Sequence, residues 1–326
     1  MKYLNNKNIL VVGNGRITAG IVTNLLQSEV DIIYFGSDDI AQSKQHIYHN
    51  IADCKEYENS NIDIGRLKFV HTVSEAADIH LAICQLDEDL LQKQQAVQQL
   101  EDQLSNKAII AVNTGSFLLS DISSLAKHPE RIIGLNWCDP AHTTSFLEII
   151  ADKTTAALLV KSVEDCARAY WHKDPVTVYC GYSVNKWLMS ALVREAFSLV
   201  ENGYASIEDI DRACRNDAGY YLPFAGNCRY MDLMGTYAYG LVMKDLNKEL
   251  SKADTPPVFF SELVSEGKTG MDAMSGFYTY DKDGVEQWEN KFRKFSFEIK
   301  DIIERYPFDY KKEESKMINS KITLNE

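Results

Sequence analysis

The chain has 326 residues, 45% of them hydrophobic, which is enough for two domains and a sizeable core. A formal net charge of −13 excludes the basic surface that nucleic acid or an anionic membrane requires of a partner, and no apolar run approaches the roughly 20 residues of a membrane span. The seven cysteines, scattered between Cys54 and Cys228 with no C-x-x-C pair, read as free thiols of a cytoplasmic protein without structural zinc, disulfides or a leader peptide.

Residues 9–12 form an uninterrupted aliphatic run, the pattern of a strand buried on both faces. Gly13 and Gly15 follow, and a helix begins whose stripe is Ile17, Ile21, Val22, Leu25 and Leu26. A strand, a glycine turn and a helix N-terminus turn backbone N–H groups and the helix dipole toward an anion, here the pyrophosphate of a dinucleotide. Gly13 permits the turn and Gly15 the close approach of the phosphates. Arg16, Ile17 and Thr18 complete the cradle, with Thr18 standing where a third glycine is usual.

Residues 30–35 read as the second strand. In NAD-binding folds an acidic residue ends this strand and binds the adenosine ribose, but here the strand runs into Gly36 and Ser37. The missing carboxylate admits a 2′-phosphate, with Arg16 as its cation, whereas Asp38 and Asp39 are able to take the ribose themselves. Both NAD and NADP therefore stay open as cofactors.

Residues 40–66 are polar and helical, with Ser43 and Lys44 exposed. Strands follow at 67–70, 79–84, 108–113 and 132–135, alternating with helices at 73–77, 88–104 and 118–125. This alternation is that of an α/β domain with a doubly wound parallel sheet, Rossmann-like, over residues 1–182. The segment 175–179 connects it to a second part, residues 183–310, made of helical patterns at 183–202, 207–215 and 230–250. Residues 311–326 are a polar tail with no core-facing stripe.

Several segments act together. The fingerprint of residues 11–20, Glu88 and Lys93, Asn113-Thr114, Gly134-Leu135-Asn136-Trp137-Cys138-Asp139-Pro140 with Phe146-Leu147-Glu148-Ile149-Ile150, Val184-Asn185-Lys186, Ala205-Ser206-Ile207-Glu208-Asp209-Ile210-Asp211 and Gly276-Phe277-Tyr278-Thr279-Tyr280 resemble, in order and spacing, the 3-hydroxyacyl-CoA dehydrogenase family over nearly the whole chain. The resemblance implies a dinucleotide domain followed by an all-helical domain that contributes to the substrate cleft and forms a homodimer. It also implies that Glu88, Lys93 and Asn113 surround the nicotinamide ribose, and that Asn136, Glu148 and Asn185 line the reacting carbon.

The departures bear on chemistry. The family's acid/base pair is a histidine and a glutamate; the glutamate is Glu148, but the histidine position is Asn136. The serine of the family's N-T-S-S loop is Gly115, and the asparagine preceding proline is Asp139. An asparagine amide donates hydrogen bonds but carries no proton near neutral pH, so plain hydroxyacyl-CoA oxidation should be poor. Glu148, if desolvated by Trp137 and Phe146, is one substitute carrier; Lys186 and His142 are others. Alternatively the substrate needs none, being a protonated imine or an activated ketone polarised by Asn136. Gly115 would enlarge the cleft, and Asp139, Tyr220 and Tyr221 suit a polar substrate.

These residues point to an NAD(P)-dependent oxidoreductase. It moves a hydride between nicotinamide and a hydroxy/keto or amino/imino centre of a small polar acid or of an acyl group carried by CoA or an acyl carrier protein. A second reading is a catalytically lapsed family member kept as a nucleotide-binding or regulatory module.

Overall fold

The computed structural model describes residues 8–36, 40–76 and 78–307. Ser37, Asp38, Asp39 and the 311–326 tail lie outside the described residues. The chain opens with β1 (Ile9–Gly13), all five residues buried. It continues through α1 (Gly15–Gln27), β2 (Ile32–Phe35), α2 (Ile40–Glu58), β3 (Leu67–Val70), β4 (Leu81–Gln85), α3 (Leu90–Gln103) and β5 (Ile109–Val112). A short α4 (Leu119–Ile122) precedes β6 (Ile132–Trp137), β7 (Phe146–Ile150), α5 (Ala157–Ala169) and β8 (Asp174–Val178).

These strands form one sheet in the order β3-β2-β1-β4-β5-β6-β7-β8. The first six are parallel and the order reverses between β1 and β4, which is the doubly wound arrangement with its switch point at the glycine turn. Because the central strands are covered on both sides, their apolar runs split between two cores. Ile9, Val11 and Ile83 face α1, α2 and α5, while Leu10, Ala82, Cys84 and Ile110 face α3 and α4.

The sheet extends further than the sequence pattern suggests. β7 runs antiparallel to β6, and β8 lies parallel to β7 as an edge strand. The predicted connection at 175–179 is thus largely β8, whose Pro175 is tolerated because an edge strand has a side with no ladder to complete. The predicted helix at 73–77 is a single 3-10 turn, Val73–Glu75. Of the polar stretch 40–66, residues 40–58 form α2, 59–63 are non-helical and Ile64–Arg66 are a 3-10 turn; Ser43 on α2 is buried rather than exposed, while Lys44 is half-buried over the Phe69 ring at 4.3 Å.

The remaining helices are α6 (Val184–Glu201), α7 (Ile207–Ala213), α8 (Gly219–Met234), α9 (Thr236–Leu246), α10 (Val258–Ser265) and α11 (Lys282–Arg305). The pattern at 230–250 is the end of α8 and then α9, separated at Gly235, whose φ of +100° no helix interior accepts. The described residues form two compact units, one within residues 8–204 with 251–297, the other within 205–250 with 298–307. In the first, Phe197 packs on Phe259, Phe260 and Phe277, and Arg293 pairs with Asp53 at 3.2 Å. In the second, Tyr221 stacks on Tyr230 at 3.8 Å while Tyr220 is exposed. Among the described residues no helix is long and apolar enough to cross a membrane.

Candidate active site

The two glycines of the first turn serve different ends. A Cβ on Gly13 would lie 2.1 Å from the Gln85 carbonyl oxygen of β4, so the close strand approach requires glycine there. Gly15 has φ +80° and open space where a Cβ would point, which leaves its backbone accessible. Thr18 is buried and donates from Oγ1 to the Asn14 carbonyl at 2.7 Å, and the Tyr34 hydroxyl donates to the Gly13 carbonyl at 2.7 Å. Ser43 joins them, its Oγ 3.4 Å from the Gly15 nitrogen.

This turn opens on a cavity of about 680 Å³ lined by Asn14, Gly15, Arg16, Ile17, Leu86 and Asp87, among others. The 13-residue α1 begins there with no acidic side chain in its first turn. An open glycine at a helix N-terminus fits the pyrophosphate of a dinucleotide. At Gly36 a Cβ would sit 2.7 Å from Asn14 Oδ1 and 3.0 Å from the Tyr34 hydroxyl, so a larger residue there would require the Asn14 side chain to move. Arg16 is not an uncommitted cation, because it pairs with Asp139 at 3.1 Å and Glu289 at 3.5 Å.

Past the end of β4, Lys93 is wholly buried, donates to the Asn113 carbonyl at 2.9 Å and faces Glu88 at 3.3 Å. Burial lowers the Lys93 ammonium, and the Glu88 charge opposes this. Glu88 accepts from the Ser116 backbone N–H at 2.7 Å and from the Ser116 hydroxyl at 3.1 Å. Burial tends to raise its carboxyl, but the Ser116 bonds and Lys93 outweigh it and hold the group below the usual range. The expected widening at Gly115 does not occur: a Cβ there would lie 2.6 Å from the Glu88 carboxyl, which fills the space. The Asn113 side chain is spent on the Leu86 peptide, donating to its carbonyl at 2.8 Å and accepting from its N–H at 2.9 Å.

β6 and β7 place Asn136 directly opposite Glu148. Asn136 Nδ2 donates to Glu148 Oε2 at 3.1 Å and to the Thr114 carbonyl at 2.8 Å, and Oδ1 accepts from the Thr114 N–H at 2.7 Å. Both amide hydrogens are thereby committed, so the donor expected toward a substrate carbonyl is not on offer in this arrangement. Glu148, 1% exposed, also accepts from Ser183 Oγ at 2.6 Å and from the Asn185 backbone N–H at 3.1 Å. Ser183 caps α6 as well, accepting from the Lys186 N–H. The Asn185 amide makes a weak contact to Cys138 Sγ at 4.0 Å, and burial pushes the Cys138 thiol above its ordinary value.

Other expectations are redistributed. Trp137 alternates to the opposite face from Asn136 and packs on Trp171, with ring centroids 5.9 Å apart, so it does not desolvate Glu148. His142 is buried beside Phe297 and lines a cavity of about 780 Å³ that adjoins the turn's cavity through Arg16, His46 and Asp139 and is not lined by Glu148. The Lys186 side chain lines a groove of about 940 Å³ along α6. Tyr220 and Tyr221 belong to the second compact unit. Sequence reasoning missed Ser183, Ser116 and Ser43. Only Ser183 carried a signal, as an N-cap serine opening a helical pattern.

The profile of the 3-hydroxyacyl-CoA dehydrogenase NAD binding domain matches residues 8–180, and that of the 3-hydroxyacyl-CoA dehydrogenase C-terminal domain matches residues 181–280. The chain is 24% identical over 282 residues to a 5-formyl-3-hydroxy-2-methylpyridine 4-carboxylate 5-dehydrogenase of Mesorhizobium japonicum, covering 84% of this chain and 91% of that protein. It is 26% identical over 283 residues to a 3-hydroxybutyryl-CoA dehydrogenase of Mycobacterium tuberculosis, covering 83% and 97%. A solved structure of a 5-formyl-3-hydroxy-2-methylpyridine 4-carboxylic acid 5-dehydrogenase superposes with a TM-score of 0.85 at 22% identity, covering 92% of this chain and 99% of that one.

Proposed function

Since the chain belongs to the 3-hydroxyacyl-CoA dehydrogenase family, we propose that it is an NAD-dependent oxidoreductase acting on a small, polar, carrier-free carbonyl or hydroxyl compound. When bound, the nicotinamide supplies or accepts the hydride. Gly13, Gly15, Ile17 and Thr18 hold the pyrophosphate, with Gly36 on the adenosine side and Glu88, Lys93 and Asn113 shaping the nicotinamide side. NAD is favoured over NADP because Arg16, the cation for a 2′-phosphate, is already neutralised by two carboxylates.

The observation that carries the substrate reading is the saturated Asn136 amide on Glu148. Glu148 fixes Ser183 and the start of α6 and so aims the Asn185 amide, whose long contact to Cys138 a substrate oxygen would displace. A site that polarises an oxygen but holds no imidazole suits an aldehyde, an activated ketone or an imine rather than an unactivated alcohol. The name of the Mesorhizobium relative, a dehydrogenase of a formylpyridine carboxylate, agrees with that class.

The active form is a homodimer through the helical part, residues 183–310. This rests on α6, which has no buried residue and leaves Trp187 58%, Leu188 62% and Leu192 50% exposed. The test of function is NADH consumption with a panel of small aldehydes, keto acids and imines beside acetoacetyl-CoA, the small compounds being expected to turn over faster. Cofactor binding with no turnover on the panel would favour a nucleotide-binding module, a reading for which the committed Asn136 amide also speaks.

A further inference from the structure

We propose that Glu88 tunes the bound nicotinamide, its carboxylate standing in the space vacated at Gly115 and favouring the oxidised, positively charged ring over the reduced, neutral one. The proposal rests on the reading that the chain binds NAD. Its starting point is that Gly115 has no backbone reason to be glycine. The residue is absent from the positive-φ glycines, so no left-handed backbone conformation demands a glycine there. What excludes a side chain is the Glu88 carboxyl, whose three outer atoms lie 2.6 to 2.7 Å from the position of a Cβ. Positions 88 and 115 are thus coupled: a side chain at 115 would require the carboxylate to leave its place.

The carboxylate is also fixed and oriented. Ser116 binds Oε1 through N–H and hydroxyl, and Lys93 faces Oε2. Lys93 is wholly buried, while Glu88 keeps 39% of its side chain exposed. The ion pair is therefore a dipole with its positive end sunk in the domain and its negative end outward. Lys93 is further held by the Asn113 carbonyl, so the dipole cannot swing without breaking the end of β5.

The fold supplies the direction. In a doubly wound sheet the ligand lies outside the carboxyl ends of the strands at the switch point, here between β1 and β4, with the adenosine on the β2 side. The nicotinamide half then falls over the ends of β4, β5 and β6. Glu88 follows β4, Ser116 follows β5, and Thr114 of the same loop bonds Asn136 on β6. A carboxylate in this position attracts a cationic ring more than a neutral one, and the effect weakens with salt.

The experiment measures dissociation constants of NAD+ by calorimetry and of NADH by fluorescence, for the full chain and for Glu88→Gln and Gly115→Ala, at low ionic strength. Glu88→Gln is expected to weaken NAD+ at least threefold more than NADH. Gly115→Ala, which displaces the carboxylate without removing it, is expected to shift the ratio the same way. Equal weakening of both forms, the result for a group that merely holds the ribose or the loop, overturns the proposal, as does an unchanged ratio. If the unaltered chain binds neither form, the oxidoreductase reading fails and this proposal falls with it; binding with no change of ratio sinks this proposal alone.

Discussion

The Asn136 amide nitrogen donates to Glu148 Oε2 at 3.1 Å across the antiparallel pair of β6 and β7, where the two residues stand in direct register. The second amide hydrogen goes to Thr114. The Asn136 side chain is thus a tie between two strands and the β5 loop. The proposed substrate class and the next two expectations depend on that tie.

Asn136→His places an imidazole opposite Glu148. General acid/base help is worth about 10²–10⁴-fold, so NAD-linked oxidation of a short 3-hydroxyacyl compound is expected to rise by about 10²-fold over the parent protein. Steady-state rates with a folded, cofactor-binding variant check this. No gain means that the reacting carbon does not sit at this residue.

Glu148→Gln keeps the shape but removes a buried charge that accepts from Asn136, Ser183 and the Asn185 backbone. Bonds to charged groups contribute about 1.5–3 kcal/mol each, not additively, so a loss of about 2–4 kcal/mol is expected in urea unfolding. An unchanged midpoint would show that these bonds do not hold α6 to the sheet.

The fold and the site were legible to different extents. The glycine turn and the first six strands follow from local signals, the spacing of Gly13 and Gly15 and the alternation of apolar runs with helical stripes. β7 and β8 escaped because Glu148 interrupts one run and Pro175 opens the other. Gly115 was read as empty space, since nothing local shows that Glu88, from the preceding βα loop, fills it. The pairing of Arg16 with Glu289 of α11 and the burial of Ser43 are long-range contacts of the same kind.

Acid should act through Glu88. Its carboxyl lies below its ordinary value, so the stability it contributes is present above the unfolded-state carboxylate range and is lost as pH falls through the folded value. The melting-temperature gap between the parent protein and Glu88→Gln is expected to be open at neutral pH and to close on acidification. A gap independent of pH would contradict the ionised pair with Lys93.

Leu188→Glu places a charge on the exposed apolar face of α6. Light scattering after size exclusion is expected to show a dimer for the parent protein and a monomer for the variant. An equal mass for both would remove α6 from the interface.

The most direct test of the account is a titration of the purified protein with NADH, followed by nicotinamide fluorescence. The account expects a saturable enhancement that Gly15→Val, which blocks the open approach at a backbone φ of +80°, abolishes while leaving the protein folded. A flat titration of the unaltered chain would contradict it.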